Sequence, residues 1–233
     1  MSSSLARIFS AVYYRLAEVR YRIKGRQKKF TDIYKKSGWG DGESISGPGS
    51  SLEHTFTIRS EIPHIMKELN AQALLDAPCG DFHWMKELNL DIDRYIGVDI
   101  VSELIRINQE KYGTVKREFI VLDIVKHPLP AVDLILCRDC FVHFSFNDIF
   151  RAVRNMCVSN SRYLLTTTFT GAKKNRDIPT GGWRPINLQA PPFNFPEPIR
   201  LINEICTELD GERSDKCLGL WDLDTISHDM RIG

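Results

Sequence analysis

Apolar and polar positions change rhythm several times along the 233 residues. In residues 4–24 the apolar side chains Leu5, Ile8, Phe9, Val12, Tyr13, Leu16, Val19 and Ile23 recur at i, i+3, i+4 and i+7. That spacing predicts an amphipathic N-terminal helix. From Thr55 onward helix and strand patterns alternate. The sequence predicts a helix over about 58–69, a strand at 73–77, a helix at 81–88, a strand at 95–99 and a helix at about 101–112. Strands at 118–123 and 132–137, a helix at 147–158 and a strand at 162–168 follow. This βαβαβ order predicts an α/β fold with a doubly wound, mostly parallel sheet that presents ligands at the strands' C-terminal ends.

Two segments break the alternation. Residues 37–51 hold five glycines and five serines around Trp39. The composition is that of a linker, but a large aromatic inside it favours an ordered loop over a site. Residues 171–200 are rich in Pro, Gly and Asn and read as a long irregular insertion, a length that in a compact domain is usually functional. The tail containing Leu218-Gly-Leu-Trp-Asp-Leu223 is expected to add antiparallel edge strands.

Composition is ordinary for a globular chain, and the net charge of +1 hides an asymmetry. Residues 1–30 carry eight Lys/Arg and one acid, leaving 23 basic against 29 acidic residues in the rest. The chain therefore divides into a basic amphipathic arm, 1–30, and a domain, 31–233. The basic face of residues 4–24 suits peripheral contact with an anionic membrane surface, or packing on the domain or a partner subunit. No apolar run approaches the roughly 20 residues of a bilayer span. The six cysteines show no secreted-style framework, and Cys137-x-x-Cys140 lacks the second pair of a zinc site, so no metal is expected. A reducing, cytoplasmic compartment is the expectation, with the inner membrane face as the peripheral location. The net acidic domain disfavours nucleic acid.

The candidate chemistry lies at the strand ends. Asp76, Asp99, Asp123 and Cys137-Arg138-Asp139 close four successive strands, and carboxylates are costly to bury without partners. Helix N-capping is the alternative use of such acids, and it fits Asp81 better than Asp76. The turn Asp76-Ala-Pro-Cys-Gly-Asp81 is not a glycine-rich pyrophosphate cradle. Its Asp81 would repel a pyrophosphate and tolerate an ammonium group. Asp139 and His143 are four apart and would share a face if that turn is helical. His143 is then a candidate general base, with Asp139 orienting the imidazole or binding substrate; a histidine merely packed between Phe141 and Phe144 is the alternative. In the insertion, Trp183, Arg184 and Asn187, with Asn175, Asp177, Phe193 and Phe195, offer groups suited to a saccharide, or else form the aromatic cluster of a surface lid.

Taken in order, Leu75-Asp-Ala-Pro-Cys-Gly-Asp-Phe82, Tyr95-Ile-Gly-Val-Asp-Ile100, Val121-Leu-Asp-Ile124 and Asp133–Phe144 resemble the motifs of class I S-adenosylmethionine-dependent methyltransferases. The resemblance covers roughly residues 55–170 and implies a Rossmann-like fold with S-adenosylmethionine as cofactor. It implies that Asp76, Cys79 and Gly80 hold the amino acid end and that Asp99 accepts from the ribose while Ile100 packs on adenine. Asp123 would accept from the adenine amine, Ile124 would flank the ring, and Cys137 and Arg138 would line the sulfonium region. The common Asp-x-Gly-x-Gly-x-Gly form is reduced here to one glycine. Trp39 with Gly47-Pro-Gly-Ser50, and Thr180-Gly-Gly-Trp-Arg184 with Asn187, resemble small bacterial-type methyltransferases of cell-surface glycan biosynthesis. That likeness implies O-methylation of a sugar hydroxyl. Small-molecule or protein methylation with an oligomerising arm, and a non-catalytic cofactor-binding module, remain as alternatives.

Overall fold

The computed structural model describes residues 25–36, 38, 40, 42–205 and 213–229. The helix expected over 4–24 and the side chain of Trp39 lie outside the described residues. The first described element, α1, is helical over residues 25–35. The boundary expected at residue 30 therefore falls inside a helix.

The remaining elements are α2 (Phe56–Glu68), β1 (Ala73–Asp76), β2 (Arg94–Asp99), α3 (Ser102–Tyr112), β3 (Arg117–Val121), β4 (Leu134–Cys137), α4 (Phe146–Cys157), β5 (Tyr163–Phe169), β6 (Arg200–Asn203), β7 (Lys216–Asp222) and α5 (Leu223–Asp229). They build one seven-stranded sheet in the order β3-β2-β1-β4-β5-β7-β6. Strands β1 to β5 pair in parallel, whereas β7 runs antiparallel between β5 and β6. The tail strand is therefore interior, and β6 forms the edge. This is a Rossmann-like, doubly wound α/β fold.

The alternation along each strand explains the two-sided core. Leu75, Ile135 and Leu164 point to one face and pack with Ile149, Ala152, Val153 and Met156 of α4 and Ile226 of α5. Leu74, Leu134, Leu136 and Leu165 point to the other, against Ile58, Ile62 and Ile65 of α2 and Ile105 of α3. Side chains at successive strand positions lie on opposite faces, so an unbroken apolar run is what a strand covered on both sides requires. Helix α4 starts where Ser145 Oγ accepts the Asp148 N–H, a serine N-cap.

One expected element is missing. Residues 81–88 form no α-helix, only a 3-10 turn at Met85–Glu87. Asp81 spends its carboxylate on the preceding loop, accepting from Ser44 Oγ at 2.9 Å and Ile45 N at 2.9 Å. Phe82 stands at φ 59°, a left-handed conformation that no α-helix continues. The insertion at 171–200 is irregular, as expected. It is stitched to β5 by Phe169 N to Ile186 O (2.7 Å) and by Leu188 N to Thr168 Oγ1 (3.1 Å).

Candidate active site

The chain passes from β1 outward to β3, then returns to lay β4 on β1's other side. A cleft opens at that switch point, beyond the strands' C-terminal ends, as open α/β sheets dictate. Its volume is about 1200 Å³ including the open mouth. Asp76, Cys79, Gly80, Asp99, Ile100, Asp123 and Ile124 all line it, as do Arg138, Asp139 and His143. Ten expected residues from four separate stretches thus meet in one place. Cys137 does not line the cleft. It is fully buried on the α4 side of β4, and Cys140, three residues on, faces the cleft instead.

The cofactor end is built on the β1 turn. Cys79 N–H donates to Val98 O at 2.9 Å, tying the turn to β2, and Asn108 Nδ2 of α3 donates to Gly80 O at 2.8 Å. Gly80 has φ 54°, and a Cβ there would collide with Ser46 Oγ. Only glycine lets the 44–46 loop approach so closely. Asp76 accepts from Tyr95 Oη at 2.6 Å. Burial raises its pKa to about 7, against the Tyr95 bond, with Asp99 adding repulsion. Burial likewise raises Asp99 to about 6, although Val101 N donates to it. Two buried acids whose desolvation outweighs the hydrogen bonds they accept fit a ligand that brings an ammonium group and hydroxyls. Both are present in the amino acid and ribose parts of S-adenosylmethionine.

The other end holds the acid/base candidates. Arg138 donates to Glu204 Oε2 at 2.6 Å and to Gly49 O at 2.8 Å. Asp139 accepts from Lys216 Nζ at 2.7 Å and lies 3.3 Å from Arg138 Nη1. Burial acts to raise Asp139, but Lys216 and Arg138 outweigh it and hold the carboxyl well below its usual range. Arg138 and Lys216 are thus matched by the two carboxylates Asp139 and Glu204.

His143 is not oriented by Asp139. The turn Phe141–His143 is 3-10, not α-helical, and Asp139 precedes it at φ 50°. The i, i+4 geometry expected of the pair is therefore absent. His143 Nδ1 instead meets Gly182 O at 2.8 Å. A carbonyl only accepts, so Nδ1 carries the proton and the neutral ring has its lone pair on Nε2. Burial lowers the His143 pKa, partly opposed by the Gly182 bond and Asp139.

The substrate residues expected in the insertion do not converge on the cleft. Arg184 is fully buried and donates to Phe141 O (2.6 Å), Phe144 O (2.8 Å) and Arg176 O (3.3 Å). Burial pushes its pKa down to about 10. Asn187 donates to Ala172 O and accepts from Gln189 N, and Asn175 reaches the carbonyls of Asn187 and Pro191. These side chains replace the missing strand ladder by satisfying backbone groups. Phe193 and Phe195 join the core. Trp183 is 39% exposed, with the Arg213 guanidinium 4.2 Å from its ring centroid, and lies outside the cleft lining.

Three cleft residues were not expected: Arg26, Phe30 and Tyr34 of α1. Their i, i+4, i+8 spacing is visible in the sequence, but Arg26 reads there as part of a basic surface. It is 6% exposed and ion-paired to Asp123 at 2.7 Å and Asp148 at 3.0 Å. Asp123, the acid expected at the adenine amine, thus already accepts from Arg26 on both oxygens and from Val125 N on Oδ1.

With this geometry in place, residues 74–159 match the family described as methyltransferase domain. No curated protein matches the sequence significantly. Similar solved structures include the N-methyltransferase NodS from Bradyrhizobium japonicum, 14% identical over 70% of this chain and 94% of that one, with a TM-score of 0.49. The methyltransferase domain of a bacterial CtHen1 is 12% identical over 49% of this chain and 66% of that one, TM-score 0.45. CalS10, an amino pentose methyltransferase from Micromonospora echinaspora, is 14% identical over 47% and 48%, TM-score 0.42. The chain spans just under two thirds of the CtHen1 domain and about half of CalS10.

Proposed function

We propose that the protein is an S-adenosylmethionine-dependent O-methyltransferase whose acceptor is a saccharide hydroxyl of a glycan or glycan precursor. The observation that carries this reading is the 2.8 Å bond from His143 Nδ1 to Gly182 O. It leaves the imidazole lone pair on Nε2, in the same cleft as the strand-end acids. S-adenosylmethionine, when bound, supplies a methyl group made electrophilic by its sulfonium. Asp76 with the Cys79–Gly80 turn holds the amino acid end, Asp99 accepts from the ribose, and Asp123 and Ile124 bracket the adenine. His143 takes the acceptor hydroxyl's proton as the oxygen attacks, assistance worth about 10²–10⁴-fold. Most of the remaining acceleration comes from holding the hydroxyl in line with the methyl group. Asp139, kept ionised, accepts from a neighbouring hydroxyl. Phe30, Tyr34 and Trp84 in the cleft wall offer flat apolar faces to a sugar ring.

The test is cofactor-product release by purified protein with nucleotide-sugars, lipid-linked glycans and simple amines as acceptors, with His143→Ala alongside. Turnover on a saccharide that falls at least a hundredfold in the variant supports the reading. Turnover on amines alone, or full turnover in His143→Ala, refutes it. For the basic segment 4–24 we propose contact with an anionic membrane surface, which would place a glycan acceptor near the cleft. Among the described residues no helix is long and apolar enough to cross a membrane. Removing residues 1–24 is expected to abolish binding to anionic liposomes, and undiminished binding refutes the contact.

A further inference from the structure

Arg26 occupies an unusual position for an arginine from a basic arm. Its guanidinium bridges two carboxylates that belong to different parts of the site. Nη2 and Nε reach Asp123, at the end of the loop leaving β3, and Nη1 reaches Asp148 in the first turn of α4. Asp148 in turn accepts from Thr180 Oγ1 at 2.6 Å. Thr180 opens the turn whose next two residues hold the catalytic candidate. Gly181 N–H donates to His143 O at 2.7 Å, and Gly182 O receives His143 Nδ1–H at 2.8 Å. The same turn is pressed on by α1 from outside. Gly181 stands at φ 97°, and a Cβ there would run into the aliphatic stem of Lys29. Phe30 completes the contact, 6.0 Å between ring centroids from Phe144.

Polar contacts therefore run Asp123–Arg26–Asp148–Thr180, and the backbone of the 180–182 turn joins them to the Gly182–His143 bond, from the adenine end of the cleft to the acid/base end. Each member has two engaged sides, so displacing one strains the next. A buried guanidinium between two carboxylates is also hard to remove in part, because either acid left alone would be an uncompensated buried charge.

We propose that Arg26 is a positioning residue that couples the adenine end of the cofactor site to the turn that sets the His143 imidazole. Asp123 Oδ1 already accepts from Arg26 Nε and Val125 N, and Oδ2, which accepts from Arg26 Nη2, retains capacity for one more donor. Arg26 holds its carboxylate in place at the cleft, while Asp148 and Thr180 carry that placement to Gly182. Helix α1 is by this reading part of the active site rather than an appendage, and its basic charge is partly internal. The proposal rests on the assignment of the cleft to S-adenosylmethionine and of His143 as the base.

Two measurements on the full chain test it without knowledge of the acceptor. One is the dissociation constant of S-adenosylhomocysteine by calorimetry. The other is the side-chain NMR titration of His143, assigned with His143→Gln. The charged groups acting on that imidazole are Asp139 at the end of β4, Arg184 in the insertion and Arg213 before β7, and none is altered by the variants used. Arg26→Ala is expected to weaken product binding about tenfold or more and to move the His143 midpoint further down, because a loosened Gly182 bond no longer favours the protonated ring. Thr180→Val cuts the chain beyond Arg26. It is expected to move the His143 midpoint the same way while leaving product affinity within about twofold. Arg26→Lys, which keeps the charge without the two-sided fork, is expected to fall between wild type and Arg26→Ala. An unmoved His143 titration in Thr180→Val overturns the relay. Product affinity that is unchanged or tighter in Arg26→Ala overturns the positioning role; if that variant does not fold, Arg26→Lys carries the same comparison. Wild-type protein that binds no S-adenosylhomocysteine instead refutes the cofactor assignment. The histidine titrations still test the link in that case.

Discussion

The strand ends of β1, β2 and β4 and the insertion at 171–200 both present many polar side chains, and they use them in opposite ways. At the strand ends Asp76, Asp99 and Asp139 all line the cleft. In the insertion Asn175, Arg184 and Asn187 turn inward onto backbone carbonyls. The reason lies in the backbone. A parallel strand satisfies its own N–H and C=O groups through its neighbours, so the residue after it can give its side chain to a ligand. A thirty-residue segment without a ladder has no such supply, and its amides and guanidinium are consumed in holding the chain together. Polar residues of the same kind therefore mean recognition in one region and scaffolding in the other.

The contrast is open to direct challenge by substitution. Arg184→Leu should have the largest effect, because it strips the donors from three carbonyls in the buried base of the turn. A loss of about 3–5 kcal/mol in unfolding free energy is expected, read by denaturant titration. A variant of wild-type stability would remove Arg184 from the scaffold. Asp76→Asn should do the reverse, stabilising the cofactor-free protein while impairing the site. The folded pKa of about 7 lies above the ordinary 3.8. The folded form therefore binds the proton more tightly, and stability present below about pH 4 is lost as pH rises through 7. Asparagine removes that loss, a gain of at most about 4 kcal/mol at pH 8, with weaker product binding. A variant whose thermal midpoint at pH 8 is no higher would show that Asp76 is not an uncompensated acid.

Smaller effects sharpen the boundary between the two regions. Asn187→Ala should cost about 1–2 kcal/mol of stability and leave S-adenosylhomocysteine affinity within about twofold. A tenfold loss of affinity would place Asn187 with the ligand-facing set. Trp183→Ala, half exposed beside the turn that holds His143, should cost less than about 1 kcal/mol. If the aromatic face meets the acceptor, the variant raises the acceptor KM and leaves cofactor affinity alone. An unchanged KM would assign Trp183 to its contacts with Phe169 and Arg213.

The same contrast explains what could be read from the residues alone. The order of strands, the two-faced core and the acids at the strand ends were legible, because period-two burial and the switch-point rule fix where those side chains go. The helix expected at 81–88 failed because Asp81 is claimed by Ser44 and Ile45 from a distant loop, which no local pattern encodes. Asp139 and His143 are adjacent in spacing, yet their relation depends on whether the turn is α or 3-10, and Lys216 from β7 decides the partner of Asp139. Arg26 was obscured by its neighbours. Eight basic residues within thirty suggest a surface, and one of them is buried between two aspartates.

Asp99 carries the account most directly, since it closes β2, lines the cleft and has a pKa raised by burial to about 6. Calorimetric titration of S-adenosylhomocysteine into wild-type protein and Asp99→Ala at pH 7.5 is the decisive measurement. The account predicts saturable one-to-one binding by the wild type and a loss of about tenfold or more in the variant, with no loss of folded stability. Equal affinity in the two proteins, or no binding by the wild type, would contradict it.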